Sequence, residues 1–144
     1  MKISAQEEYG IRCLLQIGRR GEGASLTIPE ISEAEGISGP YVAKLMRVLR
    51  RGGLVKSVRG QSGGYVLARS LDRITLGEAL AVLGGRLYDL DYCDQHFCVQ
   101  PPDCSIRGVW RRVQTAVDEI LTGTTLKDLL AAPAPQQLTT IRLN

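Results

Sequence analysis

Cys93, Cys98 and Cys104 follow the spacing C-x4-C-x5-C, close enough in the chain for three thiols to meet at one centre without long-range folding. Sulfur donors at that density suit an iron-sulfur cluster, zinc, or a reversible disulfide. Three thiolates leave a two-iron or four-iron cluster short of ligands. His96, a loop aspartate, or a carboxylate from the first helix of a partner subunit, such as Glu8, could supply the rest. Zinc could be satisfied locally, because Cys93, His96, Cys98 and Cys104 make a Cys3His set. However, His96 and Cys98 are separated by one residue, and the paired C-x2-C knuckles of stronger zinc signatures are absent. The spacing also differs from the C-x4-C-x2-C and repeated C-x2-C patterns of ferredoxins, which argues against an electron carrier. Asp89, Asp91, Asp94 and Asp103 surround the cysteines, with no Lys or Arg between Tyr88 and Ser105. Such acidity disfavours bare thiolates and so weighs against a metal-free thiol pair. Cys13, among apolar neighbours, reads as a core residue.

A second chemistry lies upstream. Between Gly36 and Leu71 there is no Asp or Glu, while Lys44, Arg47, Arg50, Arg51, Lys56, Arg59 and Arg69 fall within that window. The net charge of +3 is uninformative, but this local bias is the footprint a polyanion requires. An isolated run of cations is usually a solvated face, so the reading depends on the elements that carry it.

Those elements begin at S/T-x-x-D/E capping boxes, Ser4/Glu7, Thr27/Glu30, Thr75/Glu78 and Thr125/Asp128, where hydroxyl and carboxylate satisfy orphan helix N–H groups reciprocally. The first predicts a helix carrying Ile11, Leu14 and Leu15 that ends near Gly21–Gly23, and the second a helix over Ile28–Glu35. After the turn at Gly36-Ile37, Ser38 caps a helix from Gly39 to Arg51, with Pro40 in its first turn and Gly52-Gly53 beyond its end. Two short helices across a glycine turn form a helix-turn-helix. Leu54–Val58 and Tyr65–Leu67, joined by a glycine-rich turn, form a β-hairpin wing. The buried stripe of the Gly39–Arg51 helix is Val42, Leu45, Met46 and Leu49, leaving Tyr41, Lys44, Arg47 and Arg51 facing outward. Ser38, Tyr41 and Lys44 near its start are candidates for base edges, and Arg47, Arg50 and Arg51 for phosphates. Arg59, Gln61 and Ser62 at the wing tip are placed to enter a minor groove.

Beyond a helix over Thr75–Leu83, the cysteine segment shows no sustained period, and Pro101-Pro102 makes it a loop. Ile106, Val109, Trp110, Val113, Val117, Ile120 and Leu121 then form one stripe on a long helix, expected to meet its copy in a two-fold dimer. The fold class expected is mainly α. Its divisions are a winged helix-turn-helix domain over residues 1–86, a cluster-binding loop over 87–104, a dimerisation helix with a short helix over 105–131, and a flexible tail over 132–144.

With 44% apolar and 5% aromatic residues, the composition favours aliphatic helix packing. The absence of a signal-like start or bilayer-length apolar run leads to a cytoplasmic expectation without a membrane partner. No Ser/His/Asp set or nucleotide loop is present and there is a single histidine, so no enzyme is expected.

The chain resembles the IscR/NsrR-type bacterial transcription regulators. The resemblance runs from Met1-Lys2-Ile3-Ser4 through Tyr9, Ile28–Ser32, Gly36-Ile37-Ser38 and Leu54-Val55, and is most specific over Ser57–Tyr65 and the three cysteines. It implies a homodimer on palindromic double-stranded DNA, with an iron-sulfur cluster in each subunit sensing redox, nitric oxide or iron-sulfur status. Cys93, Cys98 and Cys104 match the family's cluster cysteines, with a first interval one residue shorter than is commonest. The histidine that some members place three residues after the last cysteine is Arg107 here. Glu8 matches the carboxylate that other members supply from the opposite subunit. Ala43 stands where some members carry an acidic DNA-contacting residue. The alternative is a zinc-stabilised or cluster-free winged-helix DNA-binding protein without cluster sensing.

Overall fold

The computed structural model describes residues 2–61, 63–85 and 104–132. Helix α1 (Ala5–Arg19) starts at a reciprocal cap in which the Ser4 hydroxyl accepts from the Glu7 backbone and the Glu7 carboxylate accepts from the Ser4 backbone. The same device starts α2 (Ile28–Glu35) at Thr27. There the backbone N–H of Thr27 holds the Glu30 carboxyl below its ordinary pKa, helped by the Thr27 hydroxyl. Gly36 ends α2 at φ 65°, a left-handed position that glycine occupies without strain. Helix α3 (Gly39–Arg51) is capped by Ser38, whose hydroxyl accepts from Tyr41.

The wing is an antiparallel pair, β1 (Val55–Val58) and β2 (Gly64–Leu67), with Val55 opposite Leu67 and Val58 opposite Gly64. A third segment joins it at one point: Leu26 and Tyr65 exchange backbone hydrogen bonds of 3.0 and 2.7 Å. At Gly64, φ is 135°, and an added Cβ would collide with the Leu26 carbonyl. Side chains are therefore excluded where the wing meets the strand-like segment before α2.

A 3-10 turn over Leu71–Arg73 leads to α4 (Leu76–Leu83). The start of α4 departs from expectation. Thr75 accepts from the Glu78 backbone, but the Glu78 carboxylate pairs with Arg69 and does not complete a capping box. Helix α5 (Ser105–Gly123) is followed by α6 (Leu126–Ala131), which opens at a reciprocal cap between Thr125 and Asp128. Residues Gly84 to Ala132 thus include two described helices and a cysteine segment whose residues 86–103, with Cys93, His96 and Cys98, lie outside the described residues, as do 133–144 of the expected tail.

One cluster of buried side chains joins the elements. Leu14 and Ile17 of α1, Ile31 of α2, Val42, Leu45, Met46 and Leu49 of α3, Leu54 and Val55 at the wing, Leu83 of α4 and Leu126 of α6 all belong to it. The four apolar positions expected on α3 are the four it buries. Burying each Leu or Met of that set stabilises the fold by roughly 1.5–3 kcal/mol relative to exposure. Two close approaches fix the helices around it. A Cβ at Gly10 would collide with Leu83, which sets α1 against α4, and one at Gly77 would stand 3.3 Å from Leu121, which sets α4 against α5. Cys13 is fully buried, as its apolar surroundings predict.

Candidate nucleic-acid interface and cysteine centre

The cap at Ser38 and the buried stripe of α3 fix which side of that helix meets solvent. Lys44, Arg47 and Arg51 of the expected outward row are exposed, and so is Arg50. Tyr41 differs: it is half-buried, packs against the core, and meets the ring of Tyr9 edge to face with centroids 6.2 Å apart. The period of α3 places Tyr41 beside the outward row, but α1 passes over that end of the helix and covers part of the ring. Ser38 is exposed, although its hydroxyl is already used as a cap acceptor at 3.4 Å. A hydroxyl in that position can still donate its proton to an outside acceptor.

Arg50 reaches toward the wing, with Nη1 3.5 Å from Ser57 Oγ, so α3 and β1 present their cations together. Lys56, Arg59 and Gln61 are exposed along the wing, and Ser62 lies outside the described residues. Recognition helix and wing therefore offer positive charge on connected elements. The acid-free window supplies these cations, apart from Arg69, which pairs with Glu78.

Of the cysteine loop, Cys104 is described. It is half-buried and stands at the N-terminal cap of α5, where it makes no side-chain cap hydrogen bond. Among the described residues no group of three or more His, Cys, Asp or Glu side chains forms a metal site, and Cys93, Cys98 and His96 lie outside them. Glu8 is on the exposed side of α1, its carboxylate paired with Arg12 at 2.7 Å. A set of three thiolates and one carboxylate is anionic and chemically apt for iron, so the donor types fit the expected group.

From Cys104 onward, α5 carries the stripe expected of a dimer helix. Ile106, Val109, Trp110 and Ile120 are 41–64% exposed. Val113, Val117 and Leu121 are half-buried. Among the described residues no helix is long and apolar enough to cross a membrane.

Sequence reasoning missed three residues around the start of α1 and the end of α2. Tyr9 contacts Tyr41, Arg12 joins Glu8 to Glu35, and Glu35 is held by Gln16 at 2.5 Å. The one signal available was Glu35 itself, an acid at the end of a helix whose last turn has no basic residue.

Comparison with known proteins places these features. The Rrf2 family model, described as an iron-dependent transcriptional regulator, matches residues 3–132. The chain is 35% identical over 130 residues to the HTH-type transcriptional regulator CymR of Bacillus subtilis (strain 168), covering 90% of this chain and 89% of that one. The solved structure of CymR (YrzC), the global cysteine regulator of B. subtilis, superposes with a TM-score of 0.80 at 31% identity, covering 93% of this chain and 99% of that chain. IscR of T. potens superposes with a TM-score of 0.71 at 33% identity, covering 94% of each chain.

Proposed function

Because this chain belongs to the Rrf2 family and is accordingly a DNA-binding transcriptional regulator and not an enzyme, we propose that it acts as a homodimer whose grip on a palindromic operator depends on an iron-sulfur cluster held by its cysteine loop. Cys93, Cys98 and Cys104 would hold the cluster, with Glu8 supplied across the dimer as a further ligand. When bound, the cluster supplies a redox-sensitive and nitric-oxide-sensitive iron centre.

The observation that carries this reading is the position of Cys104. It occupies the N-cap position of α5, the helix whose apolar stripe is exposed at its N-terminal half among the described residues and whose C-terminal half rests on α4, where a Cβ added to Gly77 would stand 3.3 Å from Leu121. A change in how Cys104 is held is thus applied directly to the start of the helix that would join two subunits and that packs on the DNA-reading core. On B-form DNA, two recognition helices must sit about 34–36 Å apart, one turn, to read successive half-sites. Tilting α5 changes that separation, and binding to a palindrome weakens as the match is lost. In this scheme Ser38, Tyr41 and Lys44 read base edges, Arg47, Arg50 and Arg51 hold phosphates, and Arg59, Gln61 and Ser62 carry the wing into the minor groove.

The test is purification without oxygen, followed by an absorption spectrum, iron and sulfide counts, and operator affinity with and without the cluster at one salt concentration. Stoichiometric iron and sulfide with unequal affinities support the reading. Absence of both elements, or equal affinities, removes cluster sensing while leaving a DNA-binding regulator. The similarity to CymR, described as a global cysteine regulator, favours a cluster-free regulator as the second reading. A colourless protein containing zinc would instead indicate a zinc-stabilised regulator, completed by His96.

A further inference from the structure

A cavity of about 540 Å³ opens at the root of the wing, between the end of α1, the loop after it, the end of β2 and α6. Small-molecule sites occupy roughly 300–1,000 Å³, so the space is of ligand size. Glycines shape it. A Cβ at Gly18, buried near the end of α1, would collide with Leu71, so its absence lets the segment after β2 lie directly on the helix. Gly21 and Gly23, at φ 99° and 76°, then turn the chain, and no atom stands within 4 Å of where either would carry a Cβ. Ile17, Leu67 and Leu71 contribute the apolar part of the lining.

Four charged residues complete it: Glu22 of the loop, Arg69 and Asp72 after β2, and Lys127 of α6. Arg69 is committed elsewhere, because its guanidinium donates to the Glu78 carboxylate and to the Arg73 carbonyl. Two acids and one base are left, all exposed. The Ser70 hydroxyl, with Lys127 among the nearby cations, holds the Asp72 carboxyl below its ordinary pKa, so Asp72 is ionised at neutral pH. Lys127 is thus close enough to act on Asp72, yet no ion pair among the described residues joins them, and none uses Glu22. A carboxylate and an ammonium on one carbon would match Asp72 and Lys127. Glu22 comes from a different segment and calls for a second cation, carried on a stem that the apolar lining can hold.

We propose that this cavity is an effector site for a cationic α-amino acid, whose carboxylate pairs with Lys127, whose α-ammonium pairs with Asp72 and whose side-chain cation reaches Glu22. Both the loop and the segment after β2 are continuous with the wing. Ala24 lies two residues before Leu26, which exchanges backbone hydrogen bonds with Tyr65, and Leu67 ends β2. A ligand spanning the two restrains the wing relative to α1. DNA then meets a wing that is already ordered and binds more tightly.

The inference is independent of what the cysteine loop holds, and the test uses the full chain free of metal. Calorimetric titration at fixed ionic strength compares L-lysine with three analogues, each lacking one charged group. L-norleucine lacks the side-chain ammonium, 6-aminohexanoate the α-ammonium, and cadaverine the carboxylate. L-lysine is expected to bind about fivefold more tightly than each. Glu22→Gln should abolish its advantage over L-norleucine, and Lys127→Met its advantage over cadaverine. Both positions are exposed, so the circular dichroism of these variants should match the native protein. The second readout is affinity for a duplex that the unaltered protein selects from a randomised pool. Saturating L-lysine should raise that affinity about fivefold, and should not do so in Lys127→Met. The inference is overturned if millimolar L-lysine gives no binding heat, if all four compounds bind alike, or if the variants keep the native discrimination. L-lysine that binds without changing duplex affinity overturns the effector role. Iron and sulfide content do not enter these measurements, so failure of cluster sensing and failure of this site are read separately.

Discussion

Cys13 and Arg47 show how differently two single residues can be tested. Burial, and then the Glu35 charge, raise the Cys13 thiol from 9.0 to about 12, so the folded chain keeps a proton that the unfolded chain releases over that interval. Stability is therefore unaffected by this group below pH 9.0 and falls as the pH rises from 9.0 toward about 12. Denaturant titrations across that window should show the decline in the native sequence and a smaller one in Cys13→Ala; equal declines would remove the thiol as the cause. Arg47 is exposed and its expected partner is a phosphate. Arg47→Ala should leave thermal stability within about 0.5 kcal/mol and reduce the salt slope of DNA binding by roughly 1. An unchanged slope would place Arg47 off the phosphates. At this scale the sequence was informative where a residue's surroundings follow from its neighbours in the chain, as for the burial of Cys13 and the exposure of Lys44, Arg47 and Arg51. It was silent on Arg12 and Tyr9, because their partners Glu35 and Tyr41 come from other helices.

Ser38 belongs to an element before it belongs to a DNA contact. Its hydroxyl accepts from Tyr41 at the start of α3. Ser38→Ala should therefore cost about 1 kcal/mol of stability, whether or not DNA is ever touched. Ser38→Asp separates the two roles, since Asp caps as well as Ser but sets a carboxylate against the polyanion. It should match the native melting temperature and bind DNA at least tenfold more weakly; undiminished binding would place the start of α3 away from the DNA. The helix starts were legible because capping is local chemistry. Ser4, Thr27 and Thr125 form the reciprocal caps that their spacing predicts. Thr75 does not, because Arg69, nine residues before Glu78, takes its carboxylate in the folded chain. The Leu71–Arg73 turn and the single pairing of Leu26 with Tyr65 had no sequence signal, being too short to establish a period.

On the scale of the whole molecule, the unresolved balance is between one chain and two. The core is complete within the chain: α6 returns to it through the buried Leu126, and the backbone of Thr124 and Ile74 bonds α6 and α4 across their starts. Among the described residues nothing covers the first half of α5, where Ile106, Val109 and Trp110 are 41–64% exposed. A contiguous apolar stripe of that kind next to a DNA-reading core is best satisfied by the same stripe of a second copy related by a two-fold axis. Two linked recognition helices also bind a palindrome far more tightly than either alone, because the second contact becomes intramolecular. Val109→Glu sets a carboxylate at the centre of that stripe without touching the core or the cations of α3. Its far-ultraviolet circular dichroism should match the native protein, since position 109 is exposed within one chain. Sedimentation should find a monomer, and operator affinity should fall roughly a hundredfold. A variant that sediments as a dimer with undiminished affinity would show that the stripe on α5 faces something other than its own copy, and the route from Cys104 to the paired recognition helices would have to be sought elsewhere.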